Sequence, residues 1–235
     1  MNTEKTIQNL FALHNTPIND VQAAYFCRFF ELLTTFNQQF NLTAITELEQ
    51  VVVKHFIDSI LNHKYYKSGA YICDMGSGAG FPGIPLKIMR PDLKIILVDS
   101  LQKRVNFLNT VIKELNLQDI TAVHSRAQEL KQQIPFESFD YITARAVAPL
   151  NVLIELCVPY IKINGEMVAL KATNYENEII EAEHALDCLN SKISNIEEYK
   201  LNNGEYTRNI IYITKQAKTN PIYPRPKNKI ELKPL

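Results

Sequence analysis

The chain has 235 residues, enough for one sizeable hydrophobic core or one domain with an appended element. Its hydrophobic content of 46% and charged content of 21% are ordinary for a globular protein, and no apolar run approaches the length of a membrane span. Basic and acidic residues balance at 25 each, which argues against a protein that grips naked nucleic acid by general electrostatic attraction.

The opening Met1-Asn2-Thr3-Glu4-Lys5 has neither the basic start nor the apolar stretch of a signal peptide. Cys27, Cys73, Cys157 and Cys188 are scattered, with no CxxC pairing. They read as buried thiols of a reducing compartment, so a cytoplasmic protein without membrane or metal is expected. Asp20 is placed as the cap of a long helix whose Ala23, Phe26, Phe29, Phe30, Leu33 and Phe36 share one face, read as core rather than as a stacking platform. The loop Asn41-Leu42-Thr43-Ala44-Ile45 is too apolar at its centre for a free linker and should pack on the main domain. Thr46-Glu47-Leu48-Glu49 resembles a capping box, opening a second helix through Val52, Val53, Phe56, Ile57 and Ile60. His55 and Asp58 stand at i, i+3 on it and read as a buried hydrogen-bonded pair in preference to a catalytic dyad.

From residue 70 the pattern changes to strands alternating with helices, which implies parallel βαβ units. Strands are predicted at 70–73, 94–98, 120–123, 139–144 and 167–170, the last after a turn at Gly165. Helices are predicted at 84–89, along the stripe Leu101, Val105, Leu108, Ile112 and Leu115, at 149–158 and at 175–189. Two β-rich runs, 192–199 and 208–214, can form an antiparallel hairpin through Asn202-Asn203-Gly204. The organisation read from this is a helical cap at 1–65, a Rossmann-like core at 66–216 and a basic, proline-rich strap at 217–235. Pro221, Pro224, Pro226 and Pro234 are taken to exclude a helix from that strap.

Four of the seven glycines fall in Asp74-Met75-Gly76-Ser77-Gly78-Ala79-Gly80-Phe81-Pro82-Gly83, directly after the first strand. Glycine allows the tight turn and the close approach of main chain to a ligand. An acid opening this loop, and Asp99 closing the next strand, together describe a nucleoside site. Asp74 would repel a pyrophosphate but suits the sulfonium and amino group of S-adenosylmethionine, while Asp99 can accept from ribose hydroxyls. A structural turn in a doubly wound sheet is the plainer alternative. Ligands lie across the carboxyl ends of such strands, which adds Ser125 to Glu129 after the third strand, Arg145 after the fourth and Lys171 after the fifth. Arg145 and Lys171 are cast as positioners of cofactor carboxylate, phosphate or base. No general base is predicted.

The segments Asn41 to Ile45, Lys54 to Ser59, Asp74 to Gly83, Val98-Asp99-Ser100 with Lys103-Arg104, Thr143 to Val147, Tyr223-Pro224-Arg225 and Pro234-Leu235 resemble the bacterial 16S ribosomal RNA (guanine-N7) methyltransferase G family, also called glucose-inhibited division protein B. The resemblance implies a class I S-adenosylmethionine-dependent methyltransferase: a Rossmann-like, mostly parallel seven-stranded sheet ending in an antiparallel hairpin and preceded by helices. It implies methyl transfer to N7 of one guanine in the small-subunit decoding region, by a monomer whose partner is 16S rRNA in the subunit. Asp74, Gly76, Gly78, Gly80, Phe81, Asp99, Ala127, Gln128 and Arg145 would meet the cofactor. Asn41, His55 and Asp58 would cover its pocket, and Lys103, Arg104, Arg208, Arg225 and Lys227 are candidate RNA contacts. N7 lies in a groove of A-form RNA too deep and narrow for side chains, so the base must be looped or flipped out. Transfer to another acceptor, a non-catalytic assembly factor, and an NAD-dependent oxidoreductase are the alternatives; Asp74 and the lack of a Tyr/Lys proton-transfer pair count against the last.

Overall fold

Apolar runs without alternation mark strands covered on both faces, and strand β1 (Tyr71–Met75) is one: every residue after Tyr71 is buried. In the computed structural model, which describes residues 2–172, 175–201 and 204–235, six further strands join it. They are β2 (Lys94–Asp99), β3 (Ile120–His124), β4 (Phe139–Arg145), β5 (Ile161–Lys171), β6 (Ser191–Leu201) and β7 (Tyr206–Lys215). The sheet runs β3-β2-β1-β4-β5-β7-β6. Its first five members are parallel, and β7 and β6 pair antiparallel at the β5 edge. The class I architecture implied by the sequence is therefore present. The turn expected at Gly165 takes the form of a bulge inside β5: Phe139 pairs with Ile161 and Tyr141 with Glu166, Asn164 is left-handed at φ +65°, and a Cβ on Gly165 would meet the Asp140 carbonyl oxygen at 2.7 Å. The connection through Asn202-Asn203 lies outside the described residues.

One face of the sheet is covered by α1 (Thr3–Leu13), α2 (Asp20–Phe40), α3 (Leu48–Val51), a π-helical segment (Val52–Ile57), α4 (Asp58–Ile60), α5 (Gly83–Met89) and α6 (Gln102–Glu114). The cap of α2 is Asn19, not Asp20. Its side chain accepts from the Gln22 amide at 2.9 Å, and the Gln22 side chain accepts from the Asn19 amide at 3.0 Å. The capping box read at Thr46 does not form, and α3 starts without a side-chain cap. Aromatic rings tie these helices together: Phe11 to Phe26 at 4.8 Å, Phe26 to Phe56 at 5.0 Å, Phe56 to Phe29 at 5.3 Å and Phe29 to Phe81 at 5.5 Å. Each fully buried ring contributes roughly 1.5–3 kcal/mol, so the aromatic face of α2 is core.

The opposite face holds α7 (Leu150–Cys157), α8 (Tyr175–Cys188) and α9 (Lys227–Leu232). The last corrects the expectation of a wholly extended strap. Pro226 precedes the first turn, where a proline has no helical hydrogen bond to lose, and Pro234 follows the last, so six residues between them are free to coil. Among the described residues, no helix is long and apolar enough to cross a membrane.

Candidate functional site

Strand order reverses between β1 and β4, and in open α/β sheets ligands occupy the crevice at the carboxyl ends of the strands beside such a reversal. A cleft of about 480 Å³ opens there. Its floor is Met75 and Gly76 from the end of β1, with Asp99 and Ser100 from β2, and Ser125 to Gln128 form one side. Ala146 to Ala148, after β4, form the other, and Lys227, Ile230 and Glu231 of α9 close the outside. Gly76 sits at φ +77°, and a Cβ on it would stand 2.7 Å from Val147 Cγ2. Both the turn and the packing of the β4 segment against it require glycine.

Asp99 is turned toward the loop. Its Oδ2 accepts from the Gly78 amide at 2.9 Å and its Oδ1 from the Leu101 amide at 2.9 Å, with Arg104 Nη1 3.4 Å from Oδ2. Oδ1, with one donor, keeps a second lone pair, so the side chain can brace the loop and still accept from a hydroxyl in the cleft. An acid over an apolar floor fits a neutral or cationic nucleoside.

Asp74 does not share that position. Its side chain is fully buried beneath the loop, where Oδ2 accepts from the Gly83 amide at 2.9 Å and Oδ1 has no hydrogen-bond partner. The start of α5 is packed so tightly here that a Cβ on Gly83 would lie 2.7 Å from Asp74 Oδ2. Asp74 is thus placed to brace the glycine loop from below, not to face a ligand. Burial pushes its carboxyl up to about 7, the Gly83 amide opposing the rise. A carboxyl whose folded value lies above its ordinary 3.8 takes up protons on folding. It adds stability that is complete below the ordinary value and is lost as pH rises through about 7. At roughly 1.4 kcal/mol per tenfold change in proton affinity, that loss is a few kcal/mol. Asp74→Asn should therefore gain stability relative to the parent on going from about pH 5 to about pH 8 in urea denaturation. A gap independent of pH would contradict this.

A second cavity, of about 590 Å³, lies on the far side of the Ala146–Ala148 segment. Lys54, Arg145, Lys171 and Arg208 line it against Asp58 and Glu178, four cations to two acids. Asp58 is the hub: Oδ2 receives Arg145 Nη1 at 2.8 Å and Oδ1 receives Arg208 Nε at 2.9 Å. The Arg145 guanidinium also covers the Phe81 ring at 4.9 Å, and His55 stacks on the same ring at 4.7 Å. His55 Nδ1 lies 3.1 Å from the Lys54 carbonyl and Nε2 lies 2.8 Å from the Thr43 hydroxyl. Burial, reinforced by Arg145, pulls this imidazole down to about 4, so it is neutral at physiological pH. Lys171 donates to the Ala148 carbonyl at 2.9 Å and pairs with Glu178. It holds the wall between the two cavities.

The fold thus brings Gly76, Asp99, Ala127, Gln128, Arg104 and Lys227 to the first cleft, and His55, Asp58, Arg145, Lys171 and Arg208 to the second. Neither of these groups includes Asp74, Gly78, Gly80, Phe81 or Asn41, which support the loop and the helix ends around them. Phe81 is core, against Phe29 and Phe56, and Asn41 ends α2 in a left-handed conformation at φ +49°. The expected covering of the first cleft by Asn41, His55 and Asp58 is replaced by α9, because the 52–60 helix turns its polar side to the second cavity. Arg225 is not an open cation. Its amide and guanidinium both bind Glu155, at 2.9, 2.8 and 2.6 Å, and Glu155 is fully buried. Arg104 faces Asp99, and Lys103 reaches the Phe40 carbonyl at 3.5 Å. The roles of Glu155, Val147 and Ile230 were not read from the sequence. A lone acid in the apolar run Leu150–Cys157 was the available signal for the first. Among the described residues, no group of three or more His, Cys, Asp or Glu could hold a metal.

A model of the family described as rRNA small subunit methyltransferase G matches residues 22–211. The chain is 42% identical over 235 residues to "Ribosomal RNA small subunit methyltransferase G" of Streptococcus pneumoniae, covering 98% of this chain and 99% of that protein. It is 43% identical over 237 residues to the protein of the same name from Streptococcus agalactiae, covering 99% of this chain and 100% of that one. Among solved structures, a SAM-dependent methyltransferase from Aquifex aeolicus superposes with a TM-score of 0.56 at 15% identity, over 74% of this chain and 97% of that one. M. jannaschii TYW2 in complex with AdoMet superposes at 0.53 and 14% identity, over 67% and 74% of the two chains.

Proposed function

Because the chain belongs to the rRNA small subunit methyltransferase G family, we propose that it methylates N7 of a guanine in 16S rRNA, using S-adenosylmethionine in the cleft beside Asp99. The observation that carries this reading is the pair of cavities sharing one wall, Ala146–Ala148: one with Asp99 beside an apolar floor of Met75, Gly76 and Val98 and with Arg104, Arg126, Lys227 and Glu231 also lining it, the other with Lys54, Arg145, Lys171 and Arg208 against Asp58 and Glu178. The first suits a nucleoside with a cationic sulfonium. The second suits a nucleotide with its phosphates, since guanidinium and ammonium groups are the usual phosphate partners.

S-adenosylmethionine supplies the methyl group as an electrophile. In the cleft, Asp99 would accept from the ribose hydroxyls and the backbone at Ala127 and Gln128 would meet the adenine edge. From the adjoining cavity Arg145 and Arg208, held by Asp58, would hold the phosphates of the flipped nucleotide so that its base reaches the cleft at the Ala146–Ala148 segment, which Lys171 supports. Guanine N7 would use its own lone pair, the bound sulfonium supplying the methyl group and keeping the electrons of the broken carbon–sulfur bond. Positive charge passes to the purine and no proton need leave. That chemistry needs in-line positioning and exclusion of water rather than a general base, in keeping with a His55 that is neutral and fully engaged.

On this reading 1–65 is a cap on the 66–216 catalytic core and 217–235 a strap. The protein acts as a cytoplasmic monomer on the small subunit, whose folded surface supplies the specificity that a zero net charge does not. The test is transfer of labelled methyl from S-adenosylmethionine to small subunits from a strain lacking this protein, followed by nucleoside identification. Label in 7-methylguanosine at a single site is the expected result. Label in another nucleoside, or none, would refute the assignment of acceptor.

A further inference from the structure

The C-terminal segment is tied down far more firmly than a terminal strap needs to be. Glu155 carries no exposure at all, yet its carboxylate is satisfied entirely by one residue of the tail: the Arg225 amide and Nε on Oε1, and Nη2 on Oε2. Ten residues on, the Leu235 carbonyl accepts from Asn151 Nδ2 at 2.9 Å. Both anchors lie on α7, and they bracket α9 fore and aft. Between them Ile230, 3% exposed, packs with Leu153 and Leu156 and lines the first cleft beside Val152 and Leu156, with Lys227 and Glu231 at its rim. In contrast, Leu232 of the same helix is 86% exposed. The helix therefore has an inner side that completes the cleft and an outer side that faces solvent at Leu232.

We propose that Ile230 is a cofactor-binding residue, the apolar outer wall of the S-adenosylmethionine site, and that the Arg225–Glu155 fork is the pair that positions it. The inference rests on the reading of that cleft as the S-adenosylmethionine site. A wall supplied by a terminal segment acts mainly on escape of the ligand, because changes at a formed interface fall chiefly on the dissociation rate. It also accounts for the two cations expected at the RNA: Arg225 is engaged by Glu155, and Lys227 stands at the cleft rim. Arginine is required at the anchor because its planar fork meets both carboxylate oxygens while its own amide adds a third bond, a geometry an ammonium cannot reproduce.

The experiment is stopped-flow dissociation of S-adenosylmethionine from the full chain, with the urea midpoint measured alongside. Ile230→Ala should speed dissociation about tenfold while also lowering the midpoint, as truncation of a buried side chain does, Ile230→Val should fall between it and the parent with the midpoint nearly kept, and Leu232→Ala should stay within about twofold in rate. Arg225→Lys, which keeps the charge but loses the fork, should shift the rate in the same direction as Ile230→Ala. An Ile230→Ala rate within twofold of the parent, or an equal effect of Leu232→Ala, would overturn the proposal. Failure of the parent chain itself to bind S-adenosylmethionine would instead refute the reading of the cleft on which it rests.

Discussion

Asp99→Ala should weaken S-adenosylmethionine binding about a hundredfold, read by calorimetric titration of the purified chain. Two contributions add. The carboxylate would lose its hydrogen bonds to the ribose, each roughly 1.5–3 kcal/mol when one partner is charged. It would also release the Gly78 and Leu101 amides, which it holds at 2.9 Å each, and so loosen the loop and the first turn of α6. Asp99→Asn separates the two, since the amide oxygen can still accept while the charge is gone; its loss should be smaller, nearer tenfold. NAD should not bind the parent measurably. Unchanged affinity in Asp99→Ala would place the ribose elsewhere.

Asp58→Ala should cost stability on the scale of 3–5 kcal/mol, the usual consequence of removing one partner from a buried ion pair. The acid is 4% exposed, and the side chains it neutralises, Arg145 and Arg208, are 14% and 25% exposed. Removing it leaves two guanidinium groups facing each other across a cavity that cannot hydrate them fully. The site also joins three elements distant in sequence: α4, the end of β4 and the start of β7. Arg208→Ala, which leaves Asp58 paired with Arg145, should cost much less. The second substitution should also cost less in the Asp58→Ala background than alone, since the repulsion is then relieved. Urea denaturation of the four proteins checks this. Additive effects would mean that the network contributes nothing as a unit.

These two residues illustrate what is legible in a linear chain. Asp99 could be found because its signal is local: a strand pattern, an acid at its end and a glycine loop one unit earlier. Asp58 was visible as an acid beside His55 at helical spacing, but its true partners lie 87 and 150 positions away. No periodicity carries such a pairing. Asp74 shows the opposite failure. Its position in the motif was plain, but its direction was not, because a β-strand end can aim a side chain at the ligand or at the helix that follows, and the close packing of Gly83 chose the helix. The tail failed for a similar reason. Its prolines were counted as helix breakers, although Pro226 before the first turn and Pro234 beyond the last leave the six residues Lys227–Leu232 free to coil.

By itself the sequence determined the order of the strands and of the helices between them, the aromatic core of α2, the glycine loop and the family, all of which are written in neighbours or in short ordered motifs. The tertiary structure alone decided that Ala146–Ala148 separates two cavities, that Asp58 joins Arg145 to Arg208, and that Arg225 turns inward to Glu155 instead of outward to solvent. The physical reason is the burial of charge. A carboxylate removed from water must find its partner wherever the packed elements bring one within about 3 Å. That is a property of how the sheet and its helices close on one another rather than of spacing along the chain.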